Sequence, residues 1–152
     1  MALFTEADIP RTIQLATAPV FFLAGIGAFM NVITGRLARV VDRARDLERQ
    51  VVSADREVRQ RHVAELRVLE KRMGLASRSI FVCTAAALVV CLLIITMFAE
   101  EMINFNLSRV VAALFVLAVT LLAVGMVLFL LETRIAVRAL HVREELMEWS
   151  DS

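Results

Sequence analysis

The side chains that most often carry out catalysis or bind metals are scarce, with two His and two Cys in 152 residues. The His residues stand in His62-Val-Ala-Glu65 and His141-Val-Arg-Glu144, which puts a His and a carboxylate on one face of a helix. This order is the reverse of the Glu-x-x-His pairs that bind iron in four-helix bundles. We interpret both pairs as solvated or bundle-edge residues, and we expect no metal site and no cofactor.

The two Cys and the Gly residues give no catalytic motif either. Cys83 and Cys91 lie eight residues apart in one apolar segment. Eight helical residues rise about 12 Å, which is too far for a disulfide. The sequence has no Gly-rich phosphate loop and no Gly-x-Ser-x-Gly turn of the kind that hydrolases use. We therefore expect that the protein is not an enzyme.

Three long apolar segments predict the main helices of the chain. Hydrophobic residues make up 59% of the chain, and the charged residues are segregated into blocks. Roughly 20 helical residues cross a hydrocarbon core of about 30 Å. Segments 13–33, 80–99 and 110–131 are long enough, and the second and third contain no charged residue. The sequence predicts an all-α, polytopic membrane protein with three transmembrane helices that extend into a cytoplasmic helical bundle.

The distribution of Lys and Arg predicts the orientation of these helices, because cytoplasmic flanks are enriched in them. Twelve of the seventeen lie between the first and second segments, and three follow the third. We therefore expect the N-terminus outside and the C-terminus in the cytoplasm. The predicted regions are an outward-facing leader (1–12), transmembrane helix 1 (13–33), a cytoplasmic helical hairpin (34–79), transmembrane helix 2 (80–99), an outer loop (100–109), transmembrane helix 3 (110–131) and a cytoplasmic amphipathic helix (132–152).

Apolar residues within the charged segment 34–79 predict helices there. From Leu37 to Val51 an apolar residue recurs every three or four positions, and the same phase continues backwards into the first span. We predict one continuous helix through both, followed by a turn at residues 53–55. A second apolar seam from Leu66 to Ile80 then enters the second span. Segment 132–152 repeats the three-and-four spacing of apolar residues, so we expect the three amphipathic segments to pack together.

His62 lies one seam position before Leu66. A His at a bundle edge changes charge near neutral pH more readily than any other side chain. Two interpretations stay open: a neutral packing residue with no regulatory role, or a pH-sensitive residue whose protonation loosens the bundle.

The basic residues of segment 34–79 alternate with Asp and Glu at helical spacing, so that their charges largely compensate. We interpret this surface as solvated and salt-bridged, and we expect no nucleic-acid partner. Arg36, Arg39 and Arg43 follow the first span most closely. We predict that they contact the anionic head groups of membrane lipids.

One face of the first helix carries polar and small residues. At 100° per residue this polar stripe comprises Gln14, Thr17, Ala24, Ala28, Asn31, Gly35 and Asp42, with Phe21 as the one large apolar residue on the same face. Gln and Asn are costly toward lipid, so the stripe should face protein or water. It predicts either a helix contact, within one chain or between the copies of a homo-oligomer, which we favour, or the lining of an oligomeric ion channel with rings of Asn31 and Asp42. Inorganic ions are partners in the second case alone.

The chain resembles a known bacterial family over nearly its whole length. The residues that carry the likeness are Pro19-Val-Phe-Phe-Leu-Ala-Gly-Ile-Gly-Ala28, Asn31-Val-Ile-Thr34 and Arg36-Leu-Ala-Arg-Val-Val-Asp-Arg-Ala-Arg45. They are similar to the opening of domain-of-unknown-function family 2721, which also has a three-span layout. The resemblance implies a location in the bacterial plasma (inner) membrane. It implies no activity, cofactor or substrate.

Overall fold

The computed structural model describes residues 8–53, 56–103 and 106–148. Within them the chain forms three α-helices: α1 (Asp8–Ser53), α2 (Arg56–Ile103) and α3 (Ser108–Glu148). The structure is almost entirely helical, and its described residues contain no strand. Each helix includes a stretch that is long and apolar enough to cross a membrane. The predicted all-α class with three spans is confirmed.

Helix α1 continues from the first apolar segment into the charged segment. It has 46 residues, which at 1.5 Å per residue gives a length of about 69 Å. The prediction of one continuous helix is therefore confirmed. The predicted turn falls between Ser53, the last residue of α1, and Arg56, the first residue of α2. Its two central residues, 54 and 55, lie outside the described residues.

The connection from α2 to α3 is held by side-chain hydrogen bonds. The Glu100 carboxylate accepts from the Leu107 N–H at 3.1 Å and from the Ser108 hydroxyl at 3.2 Å. The Asn106 side-chain oxygen accepts from the Ser108 N–H, also at 3.2 Å. These oxygens satisfy N–H groups at the beginning of α3, which have no acceptor within the helix.

The chain divides into two compact units. Unit 1 comprises Met1–Asn31 and Phe81–Val124. Its core consists of small and medium apolar side chains from all three helices, and the fully or almost fully buried ones are Ile26, Cys83, Ala86, Val90, Leu93 and Ala118. Phe22 and Phe115 add an aromatic contact, with ring centroids 6.1 Å apart. Small side chains such as Ala allow helix backbones to approach closely.

Unit 2 comprises Val32–Ile80 and Gly125–Ser152. The predicted seams of α1 and α2 meet in its core, where Val40, Ala44, Leu47 and Leu69 are buried and Leu66 and Met73 pack against them. Packing of these two seams is thus confirmed. In the third seam, Ile135 is half-buried, whereas the predicted seam side chains from residue 139 onwards lie outside the described side chains.

Candidate functional site

The most unusual side chain of unit 2 is Glu132 on α3, which is 2% exposed. A buried carboxylate is costly unless it is paired and hydrogen-bonded. Arg72 of α2 provides this pairing, with Nε at 3.0 Å and Nη2 at 2.9 Å from Oε1. Arg36 of α1 places Nη2 at 3.4 Å from Oε2. One carboxylate therefore joins three helices, and we call Arg36, Arg72 and Glu132 the ion triad.

The aromatic ring of Phe129 contributes to this arrangement. The guanidinium carbon of Arg36 lies 5.2 Å from the Phe129 ring centroid, a distance at which the ring face attracts a cation. Phe129 precedes Glu132 by three positions, so that both project from the same side of α3. The Arg36 and Arg72 side chains are 29% and 19% exposed. Both cations are thus largely withdrawn from water, and Arg36 contacts both the carboxylate and the ring.

Next to the ion triad lies a cleft of about 280 Å³, lined by Arg36, Arg39, Val40, Arg43, Leu69 and Arg72. We call it the arginine cleft. Arg43 forms an ion pair with Glu65 of α2 at 3.0 Å. Arg39 is exposed and forms no ion pair with any residue that the structure describes. Four guanidinium groups thus face two carboxylates, which leaves the cleft positively charged.

The polar stripe of α1 lies at the surface of the single chain. In unit 1, its members Gln14, Thr17, Ala24, Ala28 and Asn31 are all exposed. In unit 2, Gly35 and Asp42 are exposed as well. A methyl group added at Gly27 or at Gly35 would meet no atom within 4 Å. Packing within the chain therefore does not require Gly at either position, and a subunit contact or pore through the stripe stays a prediction.

Comparison with known proteins gives one result. The model of the family described as "Protein of unknown function (DUF2721)" matches residues 16–142, which is most of the chain. The chain belongs to this family. The match confirms the resemblance to this family, and it ends within α3. No curated protein and no solved structure matches the chain.

The His and Cys residues of this DUF2721 protein form no metal site in the part of the chain that the structure describes. His62 is half-buried, and its Nδ1 atom is buried without a hydrogen-bond partner among the described residues. The side chain of His141 lies outside the described side chains. Cys83 is buried, Cys91 is exposed, and neither forms a disulfide. The two His-x-x-Glu pairs are therefore not brought together by any described contact.

Sequence patterns indicate Arg36, Arg39 and Arg43 as site residues but not Glu132 and Arg72. A signal for Glu132 does exist, because it directly follows an apolar segment of 22 residues, as Arg36 follows the first segment by three positions. Opposite charges next to the ends of two spans favour an ion pair between their helices. Arg72 lies eight residues before the second span, and no comparable signal distinguishes it from its basic neighbours.

Proposed function

We propose that this protein is a non-enzymatic, homo-oligomeric assembly or interaction module of the bacterial plasma membrane. In this proposal copies of the chain associate through the polar stripe of α1, while the helical bundle of unit 2 lies in the cytoplasm. Membrane lipids are its other partners. The observation that carries the proposal is the exposure of Gln14 and Asn31 on the single chain, within the predicted first span (13–33).

Exposed amides at this position favour a protein partner. Polar side chains in transmembrane helices rarely face lipid and commonly hydrogen-bond across helix contacts. The neighbouring stripe residues Ala24 and Ala28 stand one helical turn apart, which is the spacing that lets two membrane helices approach closely. Gly27 adds open space beside them, since a Cβ atom there would touch nothing in the chain. A second copy of α1 would fill this space and receive hydrogen bonds.

The first test changes the polar group. Asn31→Leu should shift the purified protein toward smaller species, since each interhelical hydrogen bond contributes about 0.6 to 2 kcal/mol and is repeated in every subunit. The measurement is the mass of the protein in detergent by size-exclusion chromatography with light scattering, over a range of protein concentrations.

A second test changes helix packing and compares Gly27→Leu with its matched control, Ala123→Leu. Both positions are exposed on the single chain, but Ala123 is on α3 and not on the stripe. Gly27→Leu should weaken association, and Ala123→Leu should leave it unchanged. A monomeric parent protein, or equal masses for the parent, Asn31→Leu and Gly27→Leu, would contradict the stripe contact.

An oligomeric ion channel is the competing function, and the exposure of Asn31 and Asp42 is the observation that favours it. In that case Asn31→Leu should leave the oligomer intact. Asp42→Asn should then change the preference for cations in liposome flux measurements, because a ring of carboxylates concentrates cations. A parent oligomer that conducts no ions under several voltages and salts would exclude the channel.

The proposed orientation rests on the twelve basic residues between the first two spans. A Cys introduced at Ser53 should be protected from a membrane-impermeant thiol reagent in intact cells, whereas one at Asn104 should react. Both are introduced after replacement of Cys83 and Cys91 by Ala. Labelling at Ser53 in unpermeabilised cells would reverse the proposed topology.

A further inference from the structure

The arginine cleft carries more positive charge than the chain compensates. Glu132 is shared by Arg36 and Arg72, and Glu65 pairs with Arg43. Arg39 also lines the cleft, and it forms no ion pair with a described residue. Like charges brought together repel one another, and this repulsion falls when an anion binds between them. The cleft therefore favours an anionic occupant.

The arrangement of the guanidinium groups favours a phosphate group among anions. Guanidinium groups present several N–H donors in a plane and bind phosphate oxygens through two parallel hydrogen bonds. Arg72 uses Nε and Nη2 for Glu132, and Arg36 uses Nη2. Each has five N–H donors, so each retains donors that its described contacts do not use. The ion triad also holds both side chains in place, which lowers the entropy lost when a ligand binds.

The size and lining of the cleft point to a small ligand. Its volume of about 280 Å³ is near the lower end of the range of about 300 to 1,000 Å³ that is typical of small-molecule pockets. Val40 and Leu69 form an apolar part of the lining, and both are buried. Such a lining suits the carbon atoms that adjoin a phosphodiester. Arg36 also lies three residues beyond the first span, near where lipid phosphates are expected.

We propose that the arginine cleft is a binding site for one phosphate group, which it holds through Arg39 together with Arg36, Arg43 and Arg72. The phosphate belongs either to the head group of an anionic phospholipid or to a free phosphate of the cytoplasm. This site goes beyond the proposed oligomer contact, since all of its residues lie in unit 2 and none belongs to the polar stripe.

The test uses the purified full-length protein in a neutral detergent. Binding of short-chain phosphatidylglycerol is counted by native mass spectrometry, with phosphatidylcholine of the same chain length as the zwitterionic control. Binding of inorganic phosphate is measured by calorimetry, with chloride at equal ionic strength as the control. Saturable binding of phosphatidylglycerol alone identifies the lipid source, and saturable binding of inorganic phosphate identifies the free one.

The variants are Arg39→Gln, Arg39→Lys and the matched control Arg78→Gln. Arg39 and Arg78 are both exposed, but Arg78 does not line the cleft. Arg39→Gln should weaken binding about tenfold, which is the loss expected for one charge-assisted hydrogen bond. Arg39→Lys should recover part of it, because the charge is kept and the planar fork is lost. Arg78→Gln should bind as the parent does.

The thermal midpoints of the variants establish that the helices remain folded, as expected for exposed positions. Two results would overturn the proposal. One is that neither phosphatidylglycerol nor inorganic phosphate binds above its control. The other is that Arg39→Gln and Arg78→Gln lower the affinity equally, since that result indicates a diffuse surface charge and not a site in the cleft.

Discussion

In unit 1 the side chains that are fully buried include Cys83, Ala86 and Ala118, which are small and uncharged. In unit 2 a carboxylate, Glu132, is 2% exposed and is surrounded by two arginines. The polar residues of unit 1 that the sequence analysis singled out, Gln14 and Asn31 among them, are exposed instead. Unit 2 therefore buries a charged side chain in addition to its apolar core, whereas the side chains described as buried in unit 1 are uncharged.

This difference indicates what determines how the helices pack in each unit. Where helices contact one another through Ala and Cys, the distance between backbones leaves no room for a larger side chain. Where they contact through Arg and Glu, the geometry of hydrogen bonds fixes which residues face one another. A buried ion pair contributes little net stability compared with apolar side chains of the same size. We therefore infer that the ion triad sets the register of the three helices in unit 2 and that close packing sets their distance in unit 1.

Removal of Glu132 should have the largest effect. Glu132→Ala leaves Arg36 and Arg72 without their counter-charge, and loss of one partner from a buried pair typically lowers the free energy of unfolding by about 3–5 kcal/mol. The measurement is equilibrium unfolding in detergent micelles, followed by circular dichroism. Glu65→Gln is the matched control. It breaks the exposed pair with Arg43, and we expect a loss of about 0–1 kcal/mol.

The whole ion triad can also be replaced in one variant. Arg36→Met, Arg72→Met and Glu132→Leu together should restore most of the stability that Glu132→Ala loses, because no buried charge is left unpaired. If the inference about register is right, the triple variant should melt over a broader temperature range than the parent. A triple variant as unstable as Glu132→Ala would show that the charges themselves stabilise unit 2.

A larger side chain in unit 1 should have an intermediate effect. Ala118 is 0% exposed, so Ala118→Leu must displace neighbouring helices, and overpacking of this kind costs about 1–3 kcal/mol. The same unfolding measurement applies. Ala123→Leu, at an exposed position of the same helix, should leave stability unchanged. Equal stability of the two variants would contradict the view that space limits unit 1.

His62 should give the smallest effect. Its Nδ1 atom is buried without a partner among the described residues, and an unsatisfied buried polar atom costs about 1–3 kcal/mol. His62→Leu continues the apolar seam and should raise the thermal midpoint at pH 8 by a few degrees. A thermal midpoint of His62→Leu no higher than that of the parent would show that the unpaired Nδ1 atom costs unit 2 no stability.

Much of the fold follows from local patterns in the chain. The lengths of the apolar segments predict three spans, because the thickness of the hydrocarbon core is fixed. The three-and-four spacing from Leu37 to Val51 and from Leu66 to Ile80 predicts two helical faces, because the period of an α-helix is fixed. Both predictions depend only on residues that are close together in the sequence. For that reason the seams that pack in unit 2 could be named before the structure was known.

Which ion pairs the charged residues form depends on the distances between side chains of different helices. The shortest described ion pair of Glu132 is with Arg72, which lies 60 residues away in the sequence. No local pattern distinguishes Arg72 from its basic neighbours. Arg39 and Arg43 look alike in sequence, yet Arg43 pairs with Glu65 and Arg39 has no described ion pair. The sequence by itself determined the helices, their apolar faces and the family. The tertiary structure decided which charges are buried and which form ion pairs, because an ion pair forms only where the packing of separate helices brings its atoms within hydrogen-bond distance.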